Sequence, residues 1–197
     1  MARIESTPLS MISAVLVTCA VAASSLAFTY ELTHERILEQ ERIAREKALQ
    51  EVVSDAVSFE EMNADIVETA DEAAGETPVL AIFEAETESG DSALGIIVAP
   101  RGYGGPMQMV VGLDRDGKVL GVSIITQNET PGLGTKVLSD EWFLEQFTGW
   151  DGSDIDSAAK QFDAISGATK SSAGVRKGVI AAGHAYEAVI VEMEGGS

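Results

Sequence analysis

Residues 9–30 form an almost unbroken apolar run, and no charged side chain stands between Glu5 and Glu31. An apolar helix of about 20 residues crosses the hydrocarbon of a bilayer. Only a helix or a closed barrel satisfies its own backbone there. The run therefore predicts one transmembrane helix over 9–30 in contact with the lipid bilayer, after a short tail at 1–8, with Tyr30 at the interface. A cleaved signal peptide is the competing reading, and Ala22 and Ala23 suit one, but the run is long for it and no clear Ala-x-Ala site closes it. Arg3 is the only basic residue before the run, whereas Arg36, Arg42, Arg45 and Lys47 follow it. Read literally, the positive-inside rule puts the remainder of the chain in the cytoplasm.

Residues 31–53 are rich in helix formers and contain no Gly or Pro. Glu41/Arg45, Arg42/Glu46 and Lys47/Glu51 stand at helical i,i+4 spacing. This stretch reads as a charged stalk, continued by an acidic linker to residue 76. No Lys or Arg occurs from Ala48 to Pro100, and residues 68–78 read as a linker or loop. Formal net charge is −19, from 32 acidic and 13 basic residues. Phosphate backbones demand a basic surface, so a nucleic-acid partner is excluded. The acid reads as a solvated face that keeps the domain soluble.

Beyond residue 76 the pattern changes. Residues 79–86 and 93–100 are apolar and strand-like, as are 107–113 and 118–125, with Gly117 turning the second pair. Residues 139–150 predict a short helix with an aromatic face, in which both tryptophans, Trp142 and Trp150, read as core. Residues 171–193 predict a longer helix with a stripe of Val175, Val179, Ala182, Tyr186, Val189 and Met193. The fold class is thus α+β: a small antiparallel sheet with packed helices over 77–197, preceded by one N-terminal transmembrane helix.

One cysteine, Cys19, and two histidines, His34 and His184, are present. Iron–sulfur clusters take about four cysteine ligands, and structural zinc takes about four Cys/His ligands. Neither can be assembled, so the sequence offers no metal site, and redox work falls to an organic cofactor or a partner. No catalytic residue set is visible either.

Two glycine-rich loops, 101–106 (RGYGGP) and 128–135 (NETPGLGT), interrupt the regular elements. Neither has the spacing of a dinucleotide fingerprint or a P-loop. Turn chemistry accounts for them, as does close approach of backbone to a flat ligand. Residues 163–172 read DAISGATKSS, with hydroxyls at Ser166, Thr169, Ser171 and Ser172. A helix N-cap explains one or two of these. A phosphate ester at Thr169 explains more. Gly167 and Ala168 leave the hydroxyl accessible, and the phosphate would meet the N-terminus of the following helix. Lys170, Arg176 and Lys177 add positive charge in an otherwise acidic chain.

The stretch DAISGAT resembles the motif read by flavin transferases, in which FMN is joined through its phosphate to the last threonine. GYGGPM, ETPGLG and SGAT, in that order, resemble the FMN-binding domain of the RnfG family, which belongs to the Rnf electron-transport complex. The NqrC family, from the sodium-pumping NADH:quinone oxidoreductase, is similar. The resemblance covers residues 79–193. It implies a covalent FMN on Thr169, with Asp163, Ser166, Gly167 and Ala168 forming the recognised motif and Ser171 as the runner-up acceptor. It also implies that Glu129, Thr130, Pro131, Gly132, Leu133 and Gly134 form a loop beside the flavin. Gln127 stands where the family often has histidine, so a polar contact from that side chain is not carried over.

The implied function is that of a single-pass flavoprotein relay in the Rnf complex, which couples ferredoxin/NAD electron transfer to ion translocation. The flavin would carry electrons singly while the protein holds it. The implied partners are the other Rnf subunits and, during maturation, a flavin transferase. The implied location is the inner membrane with the FMN domain outside the cytoplasm, against the literal charge count. A flavinylated domain of another reductase stays open, as does an anchored binding module without flavin.

Overall fold

The structure, a computed structural model, describes residues 8–88, 90–132, 134–151 and 162–195. The tail at 1–7 and Leu133, one of the loop residues singled out above, lie outside the described residues. The chain divides into two compact units, 1–44 and 45–197.

Most of helix α1 (Pro8–Val52) makes up the first unit. Its apolar part is long and apolar enough to cross a membrane, with a mean hydropathy of 2.1 and an exposed surface throughout. The hydroxyls within it are satisfied by the helix itself. Thr18 donates to the Ala14 carbonyl at 2.8 Å, Ser25 to Val21 at 2.8 Å and Thr29 to Ser25 at 2.9 Å. Such back-bonding hides polar groups from an apolar surrounding. Farther along, Arg42 pairs with Glu39 at 2.8 Å and Lys47 with Glu51 at 3.7 Å.

The second unit is built on a five-stranded antiparallel meander, β1-β2-β3-β4-β5. Its strands are β1 (Ala56–Glu61), β2 (Val79–Thr87), β3 (Ser92–Val98), β4 (Gln108–Leu113) and β5 (Val119–Thr126). The four apolar runs are β2 to β5. Strand β1 and helix α2 (Ala64–Ala74) lie where the sequence reads as stalk and linker, so the compact unit begins at Arg45 rather than Thr77. Both escape a pattern search for a physical reason. β1 is an edge strand with a mostly exposed surface, held by backbone pairing to β2. In α2, the residues packing on the core are Ile66, Val67, Ala70 and Ala74, a stripe at helical spacing diluted by acidic neighbours. The Asp71 carboxylate then accepts a hydrogen bond from the Val79 N–H at 2.7 Å and ties α2 to the start of β2.

Both faces of the sheet are covered. One face carries Ile82, Leu94, Ile96, Val98, Met109, Val111 and Leu113, which pack with α2 and with the long helix α5 (Thr169–Gly195). The opposite face carries Ala81, Phe83, Ala85, Ala93, Ile97 and Val110, covered by Ala48, Leu49, Val52 and Val53 at the end of α1. A glycine row makes that second contact possible. Gly95 pairs with Gly112, and Gly112 with Gly121, across three neighbouring strands. A Cβ at Gly112 would stand 3.1 Å from both the side chain and the carbonyl of Val52, and one at Gly95 would strike Leu49.

The expected stripe on α5 is buried as far as Val189, while Met193 is exposed. The expected short helix at 139–150 is instead two short pieces, α3 (Lys136–Ser139) and α4 (Glu141–Glu145). Phe143 and Phe147 are buried edge to face at 5.7 Å, and Phe162 sits 4.5 Å from Phe147 and 5.7 Å from Trp150. Trp150 is core, but Trp142 is 48% exposed and meets only the edge of Phe143 among the described ring contacts. The aromatic cluster is filled by Phe143, Phe147, Phe162 and Trp150, which leaves Trp142 on the outside of α4.

This packing makes two substitutions informative. Gly112→Val would force the last turn of α1 off the sheet, and is expected to lower stability by about 1–3 kcal/mol, as overpacking does. Urea unfolding of the full chain in detergent measures it. Tyr186 donates its hydroxyl to the Arg115 carbonyl at 2.7 Å. Burial, and then the carboxylates of Asp114 and Asp116, raise its pKa above the ordinary phenol value. The native state thus keeps a proton that the unfolded chain loses, so this stabilisation is full below about pH 10 and lost as pH rises toward the folded pKa. Tyr186→Phe is expected to cost about 1 kcal/mol at neutral pH and to flatten the alkaline decline of the melting temperature.

Candidate functional site

Three separate segments meet at the N-terminus of α5. The first is the glycine loop 101–106 between β3 and β4, closed on itself by an Arg101–Pro106 bridge. Helix α5 presses against it at Gly174, where a Cβ would stand 2.6 Å from the Arg101 carbonyl. At Gly178, one turn on, a Cβ would meet Met109 and Pro100. The small residues at i and i+4 thus let the helix backbone lie against the loop.

The second segment is the loop after β5. Glu129 joins it to the first. Its side chain is only 6% exposed. One oxygen, Oε1, accepts from the N–H of Tyr103 at 2.8 Å and of Gly104 at 3.3 Å. Gly102 and Gly134 border the carboxylate so closely that a Cβ at either would overlap it. The second oxygen, Oε2, is buried with no hydrogen-bond partner among the described residues. Glu129 is therefore a strut between the two glycine loops and does not line the cleft. Gln127 does make a polar contact: its Oε1 accepts from the Glu129 N–H. Gly132 donates to Thr135 Oγ1 at 3.0 Å and closes the loop's tip, where Pro131 and Gly132 are exposed.

The third segment is 163–172. Gly167 has φ +82°, a conformation that non-glycine residues rarely adopt, and it turns the chain into α5. The Ala168 N–H donates to the Ile165 carbonyl at 2.9 Å, and the Ser172 N–H donates to Ala168 at 2.8 Å. Thr169, the first residue of α5, is exposed. It borders a cleft of about 350 Å³ lined by Tyr103, Thr130, Gly134, Gly167, Ala168, Thr169, Lys170 and Ser171. Of the residues singled out by sequence, Thr130, Gly134, Gly167, Ala168, Thr169, Lys170 and Ser171 thus share one cleft. Asp163 lines a small adjoining cavity together with Thr169, and Ser166 is exposed on the turn.

The cleft suits an anionic ligand with a flat body. The first N–H groups of a helix have no intrahelical acceptor and attract anions. Ser171 lines the cleft and is 1% exposed, and its hydroxyl has no hydrogen-bond partner among the described residues. The Lys170 ammonium lies 5.6 Å from the centre of the Tyr103 ring, which is itself 69% exposed. Arg101, Lys170 and Lys177 line a second hollow beside the first loop. These features are compatible with a ligand that carries a phosphate, and the glycine loops leave room for a ring. The Tyr103–Lys170 stack escapes sequence reading because the partners lie on different segments. So does Gln146, whose side chain meets the backbone of Asp163; the one signal for it is an amide set into an aromatic helix face.

Comparison with known proteins agrees with this geometry. Residues 102–183 match the FMN-binding domain family, and residues 13–52 match the RnfG N-terminal region, which ends where α1 ends. The G subunit of the ion-translocating oxidoreductase complex of Stutzerimonas stutzeri is 31% identical over 83% of this chain and 74% of its own length. The G subunit of the Na(+)-translocating ferredoxin:NAD(+) oxidoreductase complex of Acetobacterium woodii is 33% identical over 81% of this chain and 82% of its own. The corresponding G subunit from Aliivibrio fischeri is 31% identical over 85% of each. A membrane-length N-terminal helix, an α+β FMN-binding domain and these relatives together show that the chain belongs to the RnfG family of ion-translocating oxidoreductase complexes.

Proposed function

We propose that this chain is a single-pass, membrane-anchored electron relay of an Rnf complex, carrying FMN in phosphoester linkage to Thr169. Its partners are the other subunits of that complex, and the electron path runs between ferredoxin and NAD, as the name of the Acetobacterium woodii relative states for that protein. The FMN domain lies on the extracytoplasmic side of the inner membrane. The observation that carries the reading is the placement of Thr169: an exposed alcohol residue on the first turn of α5, bordering a cleft walled by two glycine loops.

Bound FMN supplies one-electron chemistry; the chain supplies position. Thr169 Oγ is the point of attachment. In that step Oγ bonds to the flavin phosphorus of a flavin dinucleotide, the pyrophosphate bond breaks, AMP leaves, and the hydroxyl proton passes to the flavin transferase. The first-turn N–H groups and Lys170 would offset the phosphate charge that remains. Ser171, whose hydroxyl has no partner among the described residues, would be a donor to the bound phosphate. Thr130 and Gly134 form the opposite wall, held in place by Glu129. Asp163, Ser166, Gly167 and Ala168 present the threonine to the transferase. Ser171 is the poorer acceptor, because a residue 1% exposed offers no approach to a transferase.

Co-expression with a flavin transferase, followed by denaturing electrophoresis and intact-mass measurement, tests the linkage. The wild type is expected to fluoresce and to gain the mass of one FMN residue. Thr169→Ala is expected to lose both completely, and Ser171→Ala to keep them. Fluorescence surviving in Thr169→Ala, or a bare wild-type mass, overturns the proposal. Glu129→Ala frees both glycine loops, and is expected to weaken non-covalent FMN binding to the Thr169→Ala chain by about tenfold, read by fluorescence quenching.

A further inference from the structure

The segment that precedes Thr169 is held at both ends by side chains outside the attachment motif's own acidic and small residues. At its start, Gln146 reaches from the end of α4 and grips the main chain of Asp163 twice. Its Oε1 accepts from the Asp163 N–H at 2.9 Å, and its Nε2 donates to the Asp163 carbonyl at 3.2 Å. The same Nε2 donates to the Phe143 carbonyl at 2.8 Å, which fixes the amide on its own helix. At the other end, Ser172 is 3% exposed. Its hydroxyl accepts from the Ile165 N–H at 3.1 Å and donates to the Ala168 carbonyl at 3.0 Å. Between the two clamps Ile165 is buried, while Ser166 is exposed to solvent.

We propose that Gln146 and Ser172 are positioning residues for flavin attachment: they hold 163–168 in one folded shape, which is the shape the transferase binds. The inference rests on the attachment reading above and adds that recognition requires the folded segment. The physical reason is entropy. A loop already ordered costs the transferase nothing to order, whereas a loop populating many shapes lowers the apparent affinity by the fraction in the right one. Gln146 does not line the cleft, so its effect passes through the backbone of Asp163.

The full chain in detergent, incubated with a flavin transferase and flavin dinucleotide, gives initial labelling rates by in-gel fluorescence over a range of acceptor concentrations. Gln146→Ala and Ser172→Ala are each expected to raise the KM for the acceptor chain about tenfold with kcat little changed. The melting temperature is expected to fall by no more than about 5 °C, as the loss of one or two hydrogen bonds does, so that both chains stay folded in the assay. Hydrogen exchange is expected to quicken at the Asp163 amide in the first variant and at the Ile165 amide in the second. Labelling of both variants at the wild-type KM, or faster than wild type, overturns the proposal, because the transferase would then be reading an unfolded stretch. Unchanged amide exchange in both variants overturns it independently of any flavin. A wild-type chain that takes up no flavin while these amides are protected and then released by the variants places the failure in the attachment reading instead.

Discussion

The cleft depends on the close approach of α5 to the loop between β3 and β4. Gly174 and Gly178 bring the helix backbone against Arg101, Pro100 and Met109, and no larger residue fits at either position without displacement. That contact sets the start of the helix beside Tyr103. Glu129 then fastens the second glycine loop to the first through the Tyr103 and Gly104 N–H groups. The three walls are thus fixed by backbone contacts and one buried carboxylate, and the side chains lining the cleft are left to meet a ligand. A site built this way is preorganised, since the groups that would face a phosphate are already oriented before it arrives.

The same use of glycine recurs on the far side of the sheet. A sheet covered on both faces must receive a helix on each, and the cross-strand row of Gly95, Gly112 and Gly121 flattens one face for the end of α1. Leu49 and Val52 fill the space that side chains would have taken. The stretch from Arg45 to Val52 therefore belongs to the folded domain as a core element.

What the sequence reveals and what it conceals divide along physical lines. Strands β2 to β5 and helix α5 are legible because their buried residues repeat at strand or helix spacing. β1 is not, because an edge strand with a polar surface is specified by its partner's backbone rather than by its own pattern. α2 carries its stripe within an acidic composition that reads as linker. At the site, the motif residues are legible from their order along the chain. The Glu129 strut is legible only as a loop member, since its contacts lie 25 and 26 positions away. The Gln146 clamp, spanning 17 positions, has no local signal strong enough to find it.

The hydroxyls of residues 163–172 show how local geometry separates chemically similar groups. Ser166 sits on the exposed turn, outside the cleft lining. Ser172 is buried and uses both its acceptor and its donor to shape the chain around it. Ser171 is buried, and its hydroxyl has no hydrogen-bond partner among the described residues. Thr169 alone combines exposure, a place in the cleft and the first turn of a long helix. On the proposed attachment, a transferase would need an alcohol it can reach and the product a place for a phosphate; within 163–172 the exposed Thr169 at the start of α5 offers both. On that reading, burial and backbone geometry separate the four hydroxyls, and the neighbouring residues act by setting that geometry.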